Sequence, residues 1–292
     1  GQLGSANAGP TPGARNAAYE TNAPPAIRQV DHAPKQPAGG EEVKITAKIT
    51  DPQGVASVRL EYQLVDPGAY IELNDAAYES SWTPLTMRDD GTAGDAAAGD
   101  SLFTAALPAS LQVHRRLVRY RIFASDGTGA SIRAPNFDDP QPNFVYFVYD
   151  GIPGWQGAAR PGTTPVQSFS PEEMGRVPVY HLIAKRSSVE DSTWNSRYTG
   201  DLYRWWGTLV YDGKVYDHIR YRARGGVWRY AMGKNMWKFD FNRGHDFQAR
   251  NDFGEQYDTK WRKLNLGANI QQGDYQHRGE QGMFESVGFR LF

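Results

Sequence analysis

Residues 219 to 241 read IRYRARGGVWRYAMGKNMWKFDF. Ile219, Tyr221 and Ala223 alternate with Arg220, Arg222 and Arg224, a period of two that sets three guanidinium groups on one face of a strand. Trp237, Phe239 and Phe241 alternate with Met236, Lys238 and Asp240 in the same way. Between the two runs, Gly225, Gly226 and Gly233 admit backbone angles that other residues avoid. The stretch therefore predicts two strands joined by a glycine-containing loop, with one apolar face to bury and one cationic face turned outward. A solvated basic hairpin is the simplest reading of that charge pattern.

Working outward, Leu202–Tyr211 and Lys214–Tyr216 predict a hairpin that turns at Asp212-Gly213, a strong two-residue turn signal. Val177–Ala184 predicts the first strand of this half. Ser187–Asn195 predicts a short helix, with Ser188 as its cap and Asp191 three residues on. Lys260–Leu266 is a further strand. Met283, Phe284, Val287 and Leu291 fall at helical spacing, so Gln281–Phe292 is expected to be an amphipathic helix.

Four blocks in this half carry a resemblance. They are VPVYHLIAKRSSVEDSTW at Val177–Trp194, RARGGVWRYAMGKNMWKFDF from Arg222, KLNLGAN at Lys263–Asn269 and GEQGMFESVGFRLF at Gly279–Phe292. Each is weak alone, but their order and spacing resemble the CotH kinase family, atypical protein kinases of spore coats and of many secreted bacterial proteins. The resemblance spans residues 177–292. It implies the N-terminal part of an α+β kinase domain at 176–292, truncated here, with the metal-holding carboxylates following later in a longer parent. It also implies ATP with Mg or Mn as cofactors, a transferase acting on hydroxyls of an extracellular or cell-surface protein, and secretion or display at the cell surface. The 292-residue chain alone is then expected to be inactive.

Residue by residue, the resemblance places Arg224, Gly225 and Gly226 at the family's RG motif. Lys234 and Lys238 fall on its K-x-x-x-K strand, Asn265 at its LN position and Glu285 at its helix glutamate. Phe284 stands where the family often has arginine. Phosphoryl transfer needs cations around the polyphosphate, and kinases brace a strand lysine with a helix glutamate. The catalytic assignments are therefore Lys238 and Glu285, with Arg224, Gly225, Gly226, Lys234 and Asn265 on the nucleotide side. Lys234 remains a candidate for the phosphate lysine. Two plainer readings stand beside this one. Lys238 can be an ordinary surface strand lysine. The whole chain can be a non-catalytic extracellular module that binds glycan or protein, with Trp205, Trp206, Trp228 and Trp237 as stacking platforms.

The first half has a different texture. Residues 1–25 are rich in Gly, Pro and Ala and predict a disordered linker. From 26 to 150, short alternating runs predict strands at Glu42–Thr50, Val55–Val65, Ser101–Leu107, Leu117–Ser125 and Asn143–Tyr149, with a turn at Asp51-Pro52-Gln53-Gly54. No helical stripe interrupts them, so an immunoglobulin- or fibronectin-like β-sandwich is expected. The fold class that follows is β-rich with two domains, a sandwich and then an incomplete α+β kinase-like domain. A Gly- and Pro-rich linker at 151–175 separates them, and its Trp155 is expected to anchor on one side or the other. The loop at 89–100 repeats carboxylates at Asp90, Asp95 and Asp100. Asx turns and tight corners explain it more simply than a calcium site, for which those three would be the ligands.

Composition sets the outer limits. With 32 basic and 33 acidic residues, the net charge of −1 gives no case for bulk attraction to nucleic acid. Cys is absent, which removes disulfides and thiolate metal sites. The six histidines are scattered, without an i,i+4 pair, so no zinc site is expected from them. No run reaches the ~18 apolar residues of a membrane span.

Overall fold

The computed structural model describes residues 22–158, 162, 164–194, 205–224, 236–251 and 253–267. Residues 1–21 of the expected linker, the loop with Gly225, Gly226 and Lys234, and the expected helix with Glu285 lie outside the described residues.

The first half is built from β1 (Ala26–Ala33), β2 (Val43–Thr50), β3 (Val55–Val65), the short helix α1 (Ala76–Ser80), β4 (Thr83–Thr86), β5 (Leu102–Leu107), β6 (Leu117–Asp126), β7 (Ser131–Ala134) and β8 (Phe144–Phe147). One sheet runs β1-β2-β5. The other runs β4-β3-β6-β7, with β8 also paired to β6. All pairings are antiparallel. The alternation read in β2 is the reason: Val43, Ile45, Ala47 and Ile49 are buried while Lys44 and Lys48 point outward. They pack against Val58, Leu60, Val118, Tyr120, Ile122 and Ala124 of the opposite sheet. Burying each large aliphatic side chain contributes about 1.5–3 kcal/mol. The turn after β2 forms as read, with the Asp51 carboxylate accepting from Gln53 N at 2.7 Å and Gly54 at φ +89°.

Three strands have no counterpart in the sequence reading. β1 carries Arg28, Gln29, Asp31 and His32, is half exposed, and is broken by a register shift between Arg28 and Asp31. β4 and β7 are four-residue strands at sheet edges. Short polar edge strands of this sort carry too little alternation to register.

The stretch between the halves holds local structure. β9 (Trp155–Gly157) and β10 (Gln167–Phe169) form a small hairpin, and α2 (Pro171–Met174) follows. Ser170 and Glu173 cap that helix reciprocally. Trp155 is 51% exposed and stacks on Phe169 of its own hairpin.

The second half is one antiparallel sheet in chain order: β11 (Tyr180–Ile183), β12 (Trp205–Tyr211), β13 (Lys214–Arg224), β14 (Met236–Asp240) and β15 (Lys263–Leu266). Helix α3 (Arg186–Trp194) lies between β11 and β12 in sequence. The turn at Asp212 and Gly213 has φ of 52° and 72°, the two positive values that a type I′ hairpin requires. The apolar face gathers Leu209, Tyr216, Ile219, Tyr221, Phe239 and Phe241, with Val189 of α3 and Phe247 packed against them.

One difference from the sequence reading governs everything on the other face. The hairpin's second strand and the arginine strand are a single element, β13. Its pairing with β12 jumps from Leu209–Tyr216 to Gly207–Ile219, so Asp217 and His218 together oppose Thr208. His218 takes φ +52° to allow this. Because strand side chains alternate, the extra residue of this bulge reverses the pattern beyond it. Tyr216 then shares the buried face with Ile219 and Tyr221, and the arginines stay outside. Without the bulge, Arg220, Arg222 and Arg224 would point into the aromatic core.

Candidate functional site

The outward face of the second sheet is organised in cross-strand rows. Arg222 on β13 stands directly opposite Lys238 on β14, and Lys238 opposite Asn265 on β15. The neighbouring row runs Trp206, Arg220, Asp240 and Lys263. Directly opposed residues bring their Cβ atoms within about 4.5–5.5 Å. A lysine and an arginine are thus held side by side, the side chains of both half-buried. Arg220 lies over the Trp206 ring at 4.6 Å, a cation–π contact. Arg224 is exposed at the end of β13, opposite Met236. Trp237 and Phe239, pointing the other way, fix β14 in the core between its two neighbours.

Of the residues singled out from sequence, Lys238, Arg224 and Asn265 share this face. Gly225, Gly226, Lys234 and Glu285 lie outside the described residues, as does Trp228. Trp205 and Trp237 pack against the aromatic cluster, which leaves Trp206 as the described tryptophan of the four on the cationic side.

Nearer the start of β13 the same face is covered by the first half of the chain. Val210 and Val215 pack with Val65, Tyr70, Leu117 and Phe147. Beside them lies a buried polar network. The Arg119 guanidinium donates through Nε and Nη2 to both oxygens of Asp217, at 2.7 and 3.0 Å, and neither side chain has any exposure. Arg119 also donates to Gln63 Oε1 and to Ile71 O. Asp217 accepts further bonds from Thr208 Oγ1 at 2.5 Å, Asn143 Nδ2 at 3.1 Å and the backbone of His218 at 2.9 Å. His218 Nε2 donates to Asn143 Oδ1 at 2.8 Å, and Tyr78 OH donates to that same oxygen at 2.9 Å.

Burial opposes the charge on Asp217, yet the Arg119 guanidinium overrides it and holds the carboxyl well below the usual range. Burial pushes His218 down to about 4, Asp217 offsetting part of that. The ring is therefore neutral at pH 7, which agrees with Nε2 as its donor and with Nδ1 lacking a partner among the described residues. Sealed from solvent, this network has no route to a substrate. It is a joint that fixes the second sheet on the first half, with Lys185–Asp75 at 2.6 Å and His245–Asp139 at 2.7 Å as further ties. Sequence reasoning passed over it. A histidine following an aspartate inside an apolar strand was the available signal.

In the acidic loop the carboxylates serve the loop itself. Asp89 accepts from the backbone of Gly99, Asp100 and Ser101 at 2.9 to 3.1 Å. Asp90 accepts from Thr92 and Arg88, Asp95 from Gly91 and Thr104, and Asp100 from Leu102. Asp90, Asp95 and Asp100 are not brought together as a ligand set. Among the described residues no group of three or more His, Cys, Asp or Glu is placed to hold a metal ion. No described helix is long and apolar enough to cross a membrane.

No protein-family model matches the chain, and no curated protein matches it at a significant level.

Proposed function

We propose that this chain carries the N-terminal part of a CotH-like protein kinase domain preceded by an immunoglobulin-like module, within a secreted or cell-surface protein that transfers phosphate from ATP to protein hydroxyls. The observation that supports this reading is the row Arg222, Lys238 and Asn265 across three adjacent strands, with Arg220 and Arg224 on the same face. Phosphoryl transfer is largely a matter of positioning and of charge stabilisation. A half-buried lysine supplies a compact charge, an adjacent guanidinium supplies a planar fork for phosphate oxygens, and an amide supplies further donors.

These residues fit the phosphate portion of ATP, which, with Mg or Mn, supplies the transferable group and the divalent charge. The chain's own part is to hold the phosphates on Arg222 and Lys238 and to orient them with Asn265. The proposal assigns the metal-holding carboxylates to another part of the complete protein. The test is phosphorylation of protein hydroxyls by that complete protein, with labelled ATP and Mg or Mn. Lys238→Met is expected to lower transfer about 100-fold or more, on the scale of losing one stabilising donor, and to leave thermal unfolding unchanged. Undiminished transfer would remove Lys238 from the site and move its role to Lys234.

A further inference from the structure

The bulge in β13 is held from the other half of the chain. A bulge disrupts the ladder locally, and the buried backbone groups it contains need partners from elsewhere. Here side chains reach all four backbone polar groups of Asp217 and His218. The Asp217 N–H donates to Gln141 Oε1 at 2.9 Å, and the His218 N–H donates to the Asp217 carboxylate at 2.9 Å. The carbonyl oxygens of both residues accept from Asn242 Nδ2, at 3.0 and 3.2 Å. Asn242 lies two residues past the end of β14.

The support from the first half comes from one short run, residues 139–143, between β7 and β8. One oxygen of Asp139 meets His245 at 2.7 Å and accepts from the Gln141 N–H at 2.8 Å, which places Gln141 beside the bulge. Pro140 O accepts from Asn242 at 3.3 Å. The Gln141 side chain is buried, and the Asn143 amide bonds both Asp217 and His218. The bulge is thus gripped by the first half on one side and by Asn242 on the other. Arg220 follows two residues after His218, so whatever fixes the bulge fixes the start of the cationic face.

We infer that Gln141 and Asn242 are positioning residues for the phosphate row: by holding the bulge they fix the register that turns Arg220 and Arg222 outward beside Lys238, and the first half of the chain takes part in polyphosphate binding without touching the ligand. The inference rests on the reading of Arg222, Lys238 and Asn265 as that row. A register change of one residue exchanges the two faces of a strand. A complete slip would drive guanidinium groups into the aromatic core, and the cost of burying unpaired charge opposes it. Loss of a clamp residue therefore loosens the register rather than reversing it. Looseness is enough to weaken binding, since a site needs its groups held to within about 0.5 Å.

The chain contains no cysteine, so a single introduced thiol reports which way a position faces. Arg220→Cys, on the exposed side, and Ala223→Cys, at a buried position, are each made in the native chain, in Gln141→Leu and in Asn242→Leu. In the native background a thiol reagent is expected to modify position 220 and to spare 223. Each clamp variant should cut the protection of 223 about tenfold, the scale of stranding one buried hydrogen-bonding group. Without the thiols, the same two variants should need about tenfold more 8-azido-ATP for equal labelling of the second sheet, the scale of one charge-assisted contact. Val58→Ala, a core change of the first half away from the bulge, should lower the unfolding temperature and leave both readings as they are. Protection that neither clamp variant lowers would overturn the inference. So would lowered protection with unchanged nucleotide labelling, or equal losses in Val58→Ala. Labelling indifferent to Lys238→Met would instead remove the phosphate row, and the positioning role with it, while the thiol result would still report the register.

Discussion

Replacing Asp217 with alanine is expected to destabilise the chain by about 3–5 kcal/mol, the scale of stranding one member of a buried ion pair. The Arg119 guanidinium would lose both oxygens that it now meets at 2.7 and 3.0 Å and would remain where no water reaches. Thr208 and Asn143 would lose an acceptor at the same time. Arg119→Met should cost a similar amount for the converse reason. The double variant Arg119→Met/Asp217→Ala is expected to lose much less than the two single losses combined, because no charge is left unpaired. Guanidinium unfolding of the four proteins supplies the cycle. Additive losses, or single losses below about 1 kcal/mol, would mean that the pair is solvated rather than buried. Since whole domains are stable by only about 5–15 kcal/mol, the single variants should approach the limit of folding.

Acid is expected to act on the same joint through His218. Its folded pKa is held at about 4 by burial, against the ordinary 6.5. Between those values the unfolded chain binds a proton that the folded chain does not. Stability is therefore complete above pH 6.5 and falls as the pH drops toward 4, by about 3 kcal/mol over the window. Asp217, held low by Arg119 against its burial, adds a further loss below its ordinary 3.8. In His218→Asn, whose side chain tolerates the positive φ at this position, the decline between pH 6.5 and 4 should flatten, whatever the variant's stability at pH 7. Unfolding curves at half-unit pH steps measure it. A wild-type stability that does not change across that window would show that His218 is accessible to protons in the folded state.

Where a single strand has one face in a core and one in water, its sequence says so. Val55–Val65 was legible to the residue because Val58 and Leu60 answer the opposite sheet, and the Asp212-Gly213 turn was legible because few other pairs accept two positive φ values. The cationic face was visible for the same reason, from Arg220, Arg222 and Arg224. Arg119 was not. In the run LVRYRIFAS it is spaced like Arg121, yet one is wholly buried and the other forms a half-buried pair with Glu61. What separates them is a partner 98 residues away, which no local period encodes. The bulge at Asp217 and His218 was hidden by its own nature, since an inserted residue breaks the alternation by which strands are recognised. Sequence reasoning accordingly reached the face that holds the candidate row and missed the joint that aims it.

The row itself is most directly tested by photolabelling the 292-residue chain with 8-azido-ATP in the presence of magnesium, followed by peptide mapping. If Arg222, Lys238 and Asn265 hold a polyphosphate, the label should concentrate in peptides from β13, β14 and β15, compete away with ATP, and fall about tenfold in Lys238→Met, the scale of one charge-assisted contact. Labelling confined to the first half of the chain, or labelling of the second sheet that Lys238→Met leaves unchanged, would contradict the account.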